Sequence, residues 1–357
     1  MTKITNLTNE CLAIGSLPHK SVKEAMDIVK TYYNIIPFCP QLPRLSPKED
    51  MILQYLENMA GLVLDEENGT VYLDTDKETF SEELETLFLT YEEATQDINS
   101  ESLDNYCLTN EYSKSFDAYI ELVQEIKPQY AKTQITGPFT LATSLTDKSQ
   151  RCAYYDETLK EVIVKTLALK VLWQIKEIKK VSPNTTPIVF IDEPTVSQIG
   201  TSAYVTISPN EIVEYIKEIS DIIKQNSGIS AIHCCGKCDW SIPLKIGMDI
   251  INFDAYSYAE NMGAYANDLK NFLDNDGFIA FGVVPTLDKE ALTKTNLIEI
   301  EEHFNQAKAL LINKGIDKNL LNTHSLISPS CGCGSLSVEL AQKANSLTKE
   351  LSEKLKG

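Results

Sequence analysis

Along the chain, short continuous apolar runs recur between stretches of helical periodicity, and that alternation restricts the fold more than any other feature. The runs lie at residues 12–16, 35–39, 133–136, 187–191, 229–234, 250–253 and 278–284, with a weaker one near 323–327, eight in all. Apolar runs without polar alternation suit parallel strands covered on both faces. Strand then helix, repeated eight times, predicts an α/β protein of the (β/α)8 TIM-barrel type, with a doubly wound open sheet as the alternative.

Helix start signals accompany the runs. Ser21-Val22-Lys23-Glu24 and Ser208-Pro209-Asn210-Glu211 read as capping boxes, the second with Pro at the first helical position. Ile212, Ile216, Ile219 and Ile223 then fall on one helical stripe. Residues 156–181 and 337–356 read as two further helices. One stretch, residues 44–127, breaks the alternation where a barrel would pass directly from its second strand to its third. Ser46-Pro47-Lys48-Glu49 predicts a helix to about Met59, and residues 61–65 and 70–74 flank Glu67-Asn68-Gly69, a tight hairpin signal. The stretch reads as an acidic, mostly helical insertion with one β-hairpin, placed on the mouth of a single domain spanning residues 1–357.

Composition narrows the partners. Lys and Arg number 32 against 51 Asp and Glu, a net charge of −19, and there is no basic run. That disfavours nucleic acid, where affinity comes from Lys and Arg neutralising phosphates. No apolar stretch reaches the roughly 20 residues of a membrane helix, and residues 1–10 are polar, so a cytoplasmic protein is expected. Nine cysteines in such a chain argue against a disulfide framework. Cys11, Cys39, Cys107 and Cys152 are scattered and read as small buried hydrophobes. The other five fall in two groups, His233-Cys234-Cys235-Gly236-Lys237-Cys238 and Cys331-Gly332-Cys333.

In a (β/α)8 barrel the residues just past the strand ends line the active site. Those positions are Ser16, Gln41, Gly137-Pro138, Asp192-Glu193-Pro194, His233 to Cys235, Asp254, Pro285 and Cys331. On an extended strand end His233 and Cys235 point to one side while Cys234 points away. Cys331 approaches from the last strand, and two thiolates with a neutral imidazole suit Zn²⁺ with a fourth position left for a carboxylate or a substrate. Asp254 is the nearest carboxylate in chain order among these strand-end positions; it ligates, caps the following segment or hydrogen-bonds the histidine. Other readings stay open: core packing for His233 and Cys235, a CxxC redox pair at Cys235 and Cys238, and a structural zinc using Cys238 or Cys333.

At these residues the chain resembles cobalamin-independent methionine synthase and its uroporphyrinogen-decarboxylase-like relatives, in a single-barrel subgroup. Ile14-Gly15-Ser16-Leu17-Pro18 is similar to the opening strand motif of the synthase catalytic barrel, and Ile191-Asp192-Glu193-Pro194 to its central motif. His233-x-Cys235 and Ser328-Pro329-Ser330-Cys331-Gly332 resemble its zinc segments, and the His-x-Cys-Gly form also resembles corrinoid-dependent zinc methyltransferases. Two departures stand out: there is no room for the synthase's second barrel, and its zinc Glu is replaced by Asp254.

The resemblance implies a zinc-dependent methyl transfer to a small thiol, with His233, Cys235, Cys331 and Asp254 on the metal. Asp192 would pair with the acceptor's ammonium group, Glu193 would assist, and Ile14, Gly15, Ser16, Gln41 and Arg44 would line the substrate site. Homocysteine is the favoured acceptor, and the donor is methyltetrahydrofolate or a methylated corrinoid on a partner protein. The acidic insertion is either a docking surface for that partner or a solvated face. Two alternatives compete: a decarboxylase of the uroporphyrinogen type, and a non-catalytic zinc- or thiol-binding barrel. The decarboxylase would need Arg forks for its carboxylates, and the chain has only Arg44 and Arg151.

Overall fold

The computed structural model describes residues 4–65 and 69–357. Two short strands, β1 (Leu62–Asp65) and β2 (Thr70–Leu73), form an antiparallel hairpin. Six parallel strands follow: β3 (Tyr130–Thr136), β4 (Thr186–Asp192), β5 (Ile229–Cys234), β6 (Ile250–Phe253), β7 (Phe278–Val284) and β8 (Ser325–Pro329). They lie side by side in chain order as a half-barrel sheet. Helices cover its outer face and bury a large apolar cluster against it. Its inner face encloses a second, smaller cluster that includes Leu12, Ile36, Ile188, Ile229, Ile250 and Leu326.

The closed eight-stranded TIM barrel expected from the apolar runs is not formed. The runs at 12–16 and 35–39 meet the sheet only through single bridges, Cys11 to Ile327 in β8 and Phe38 to Lys132 in β3, and meet each other through Ser16 and Gln41. Neither run builds a ladder. Pro37, in the second run, has no N–H to donate, and Gly15, in the first, turns out of strand geometry at φ +154°. Isolated hydrogen bonds remain, such as Leu12 N–H to the Ile327 carbonyl at 2.8 Å and Cys39 N–H to that of Lys132 at 3.0 Å.

The helical signals fare differently one by one. Ser21 caps helix Val22–Tyr32 by accepting from the Glu24 N–H. Ser208 precedes helix Pro209–Gln225 without a side-chain cap bond, and the Ile212, Ile216, Ile219, Ile223 stripe is fully buried. Burial of each such side chain is worth about 1.5–3 kcal/mol. Asp156 caps helix Glu157–Val181 through the Thr158 and Leu159 N–H groups, and Ser337 caps helix Val338–Lys356.

The helix expected from Ser46 to about Met59 reduces to two single turns, Pro47–Glu49 and Leu53–Tyr55. Glu49 does not close a capping box. Its buried carboxylate accepts from the Leu42 N–H at 2.6 Å and the Lys114 N–H at 2.7 Å, tying this segment across to the end of the insertion. Within 44–127 the hairpin is present, with helices Phe80–Gln96 and Phe116–Ile126 after it. The turn at Glu67-Asn68 lies outside the described residues. Among the described residues no helix is long and apolar enough to cross a membrane.

Lys170, inside helix Glu157–Val181, is fully buried, and its Nζ has no hydrogen-bond partner among the described residues. Burial lowers its pKa from an ordinary 10.5 to about 8, with Glu57 and Cys107 opposing. Below pH 8 the folded chain carries a charge it solvates worse than the unfolded chain does. Stability therefore rises as pH climbs from about 8 to 10.5, the order of 3 kcal/mol in all. Lys170→Met is expected to raise the thermal midpoint by several degrees near pH 7, with the gain fading toward pH 10.5. A midpoint that falls at pH 7 in calorimetry would show that the ammonium is well solvated where it sits.

Candidate metal centre

Strand alternation puts Lys132, Gln134 and Thr136 of β3, Asp192 of β4, His233 of β5, Asn252 of β6 and Ser328 of β8 on the inner face, above the apolar layers. The parallel register sets Asp192 beside His233, and His233 beside Asn252. Just past the end of β5, Cys235 comes back to the same side, and Cys331 reaches it from the segment after β8. One ligand atom each from His233, Cys235 and Cys331 lies within 4.8 Å of the others; this is the one such grouping among the described residues. Donor atoms sharing a tetrahedral zinc, with Zn–S about 2.3 Å and Zn–N about 2.0 Å, stand roughly 3.5–3.8 Å apart. The 4.8 Å limit of the cluster is wider than that span, so an ion would draw the three groups together.

His233 supplies a further sign of fit. Its ring is buried, Nδ1 faces the Asn252 Oδ1, and Nε2 has no partner among the described residues. A buried ring nitrogen left without a partner beside two thiols is free to take a metal. One of the two thiols is prepared as well. Cys235 is drawn down to about 4, first by the hydrogen bond from Cys331 and, against the cost of burial, by His233. Cys331 is pushed up by that same bond and by burial. His233 rises to about 9, burial opposing and Cys235, Asp192 and Asn252 favouring its charged form. A thiolate is the form that binds metal and attacks carbon.

Several contacts hold Cys331 in place. Thr286, buried after β7, accepts from the Cys331 N–H and donates to the Cys331 carbonyl, both at 2.9 Å. On the other side Ser16 takes the Cys333 N–H on its carbonyl at 2.9 Å and the Gly334 N–H on its hydroxyl at 3.2 Å. A Cβ on Gly332 would stand 2.2 Å from the Ser16 hydroxyl, so only glycine permits this approach. Ser16 is thus engaged with the cysteine loop.

The remaining expected residues divide. Asp192 is half-buried beside His233; its Oδ1 is buried without a partner among the described residues, and burial raises its pKa against His233 and Lys132. Glu193 is fully buried and accepts from the Phe139 and Thr140 N–H groups at 3.0 and 2.8 Å and from the Thr140 hydroxyl at 2.6 Å. Burial lifts it to about 7 in spite of those bonds. Its carboxyl is used on the backbone that opens helix Pro138–Ser144.

Asp254 is outside the three-residue cluster. It caps helix Ala255–Gly263, accepting from the Ser257 N–H at 2.9 Å, while its Oδ2 is buried without a partner among the described residues. Gln41 Nε2 donates to Gln54 at 2.9 Å, and Arg44 is exposed. All nine cysteines are free thiols, and Cys238 meets Cys234 rather than Cys235.

Sequence reasoning missed Lys132, Gln134, Asn252 and Thr286. Lys132 is fully buried, donates to the Ile14 carbonyl at 2.5 Å and to Gln134 Oε1 at 2.9 Å, and lies 4.6 Å over the Phe190 ring. It therefore anchors the Ile14-Gly15 segment, and Gln134 packs against Gly15, where a Cβ would come within 3.0 Å. Burial takes this lysine to about 8, with Asp192 opposing. The available signal was a polar residue on a buried strand, plain for Asn252 in apolar β6 and weak for Lys132 and Gln134 in the mixed β3, while Thr286 past the end of β7 gave none.

No protein-family model and no curated protein matches the sequence. Among solved structures the chain is similar to a methyltransferase from Methanosarcina mazei, at 12% identity, over 97% of this chain and 95% of that one, with a TM-score of 0.47. At that distance the likeness says nothing of what this chain does.

Proposed function

We propose that this chain is a zinc-dependent transferase that moves a methyl group onto a small thiol, with homocysteine the favoured acceptor. The observation that carries the reading is the His233, Cys235, Cys331 cluster, with an unpartnered Nε2 turned to two thiols of unequal proton affinity. When bound, zinc supplies a Lewis acid that lowers the pKa of an acceptor thiol.

The chain's own residues do the rest. Asp192, beside His233 with an unpartnered buried oxygen, takes the ammonium group of the acceptor and so aims its sulfur at the cluster. Glu193 holds the backbone of residues 139 and 140 and thereby the turn next to Asp192. Thr286 and Ser16 keep Cys331 facing Cys235. Asp254, at the end of β6 with one oxygen on its helix cap and one uncommitted, is the carboxylate assigned to a fourth metal position. In the transfer the acceptor sulfur forms the new bond to carbon and gives up its proton. The donor, methyltetrahydrofolate or a methylated corrinoid carried by a partner, keeps the electron pair of its broken bond to the methyl group: the folate nitrogen then takes up the released proton, or the corrinoid leaves reduced by two electrons and the proton passes to solvent.

The test is metal content and methylation of homocysteine by protein purified anaerobically with reductant, with methylcobalamin and methyltetrahydrofolate as donors. Zinc near one per chain together with thioether product supports the reading. Zinc without methylation of any thiol would favour a non-catalytic metal-binding role. Protein that takes up no zinc even when supplied with it would end the proposal.

A further inference from the structure

Asn252 is a fully buried polar residue in the apolar strand β6, and its position beside His233 is set by the register of β5 and β6. Its Nδ2 donates to the Ala280 carbonyl at 3.1 Å and to the Ser328 hydroxyl at 2.6 Å. Ala280 pairs with Asn252 on one side and Leu326 on the other, and its small side chain lets the amide reach across β7 to β8. The Ala280 carbonyl only accepts, so the amide nitrogen must face it and Oδ1 must face His233. An oxygen there accepts a hydrogen bond from His233 Nδ1, which leaves Nε2 as the atom turned to Cys235 and Cys331.

We propose that Asn252 is a positioning residue for the metal ligand His233: braced by Ala280 and Ser328, it fixes the plane of the imidazole and commits Nε2 to the metal. The proposal rests on the metal reading of the cluster. It assigns to three strands, β6, β7 and β8, a shared part in aiming one ligand atom. Partners of this kind, behind a metal-bound histidine, set its orientation and basicity.

The experiment measures zinc affinity by competition with a chromophoric chelator, and the visible absorption of the Co²⁺-loaded protein, for full-length wild type, Asn252→Leu and Asn252→Asp. Asn252→Leu keeps the branched shape but cannot accept from Nδ1; it is expected to bind zinc roughly 10–100-fold more weakly and to shift the Co²⁺ bands. Asn252→Asp keeps an acceptor toward His233 and, protonated on its other oxygen in this buried site, a donor toward the Ala280 carbonyl; it is expected to bind zinc at least as tightly as wild type. A residue that only fills space would show the same Co²⁺ bands in all three proteins.

The inference is overturned if Asn252→Leu binds zinc within about threefold of wild type with unaltered bands, given the larger loss typical of such partners. It also falls if Asn252→Asp loses as much affinity as Asn252→Leu. Should Asn252→Leu fail to fold, Asn252→Ala takes its place, with the same expected loss of affinity and the same limit of about threefold for overturning the role. Wild type that binds neither metal refutes the metal reading itself, an outcome separate from wild type binding tightly while Asn252→Leu does the same.

Discussion

Cys331→Ala is expected to strip zinc from the protein and to lower homocysteine methylation by about three orders of magnitude or more, the rate equivalent of several kcal/mol of lost Lewis-acid stabilisation. His233→Ala should do the same from the other side of the cluster. The folded state should survive both changes. Cys331 is half-buried on a segment that Thr286 and Ser16 hold by its backbone, so removal of its sulfur leaves those bonds in place. Metal analysis and initial rates on the same preparations are the measurement. A Cys331→Ala protein that keeps both its zinc and its rate would place the chemistry elsewhere. Loss of zinc with unchanged rate would make the metal structural and leave the thiol to be activated by another group.

Asp192→Asn should leave zinc bound but lower kcat/KM for homocysteine about 100-fold, because a hydrogen bond between two charged groups in a partly desolvated site is lost. A thiol of similar length without the amino group should be affected by only about threefold, since it never used the carboxylate. The discriminating quantity is the ratio of the two losses. Equal losses on both thiols would mean that Asp192 acts on the cluster through His233, its neighbour in the register, and not on the acceptor. The pH profile carries a related sign. Burial raises the pKa of Asp192, so ammonium recognition fails on the acid side, and this limb should vanish with the amine-free thiol.

Much of this was legible before any coordinates. Six of the apolar runs are strands of the parallel sheet, because a strand covered on both faces leaves little room for polar side chains and so announces itself. His233 and Cys235 were identifiable as a pair from the period of two along an extended chain end, and the clustering of cysteines drew attention to Cys331. The first two runs misled because apolar content reports burial, and residues 12–15 and 36–39 are buried without pairing as strands. Gly15 and Pro37 were in view, but whether one turn of backbone or one missing N–H merely notches a ladder or prevents one depends on the neighbouring strand. The segment at 46–59 carried a capping signature whose carboxylate, Glu49, found better partners in Leu42 and Lys114.

The sequence by itself determined the alternating α/β class, the acidic interruption of that pattern, and the residue types able to bind a soft divalent metal. These follow from local composition and period, which need no knowledge of distant neighbours. Only the tertiary structure decided that the parallel sheet stops at six strands. It alone brought Cys331 within reach of His233 and Cys235 across about a hundred residues of chain, turned Glu193 to a helix terminus, and set Asn252 behind the imidazole. Which atom meets which depends on strand register and on the few backbone groups left unpaired. Both are settled when all the elements pack at once.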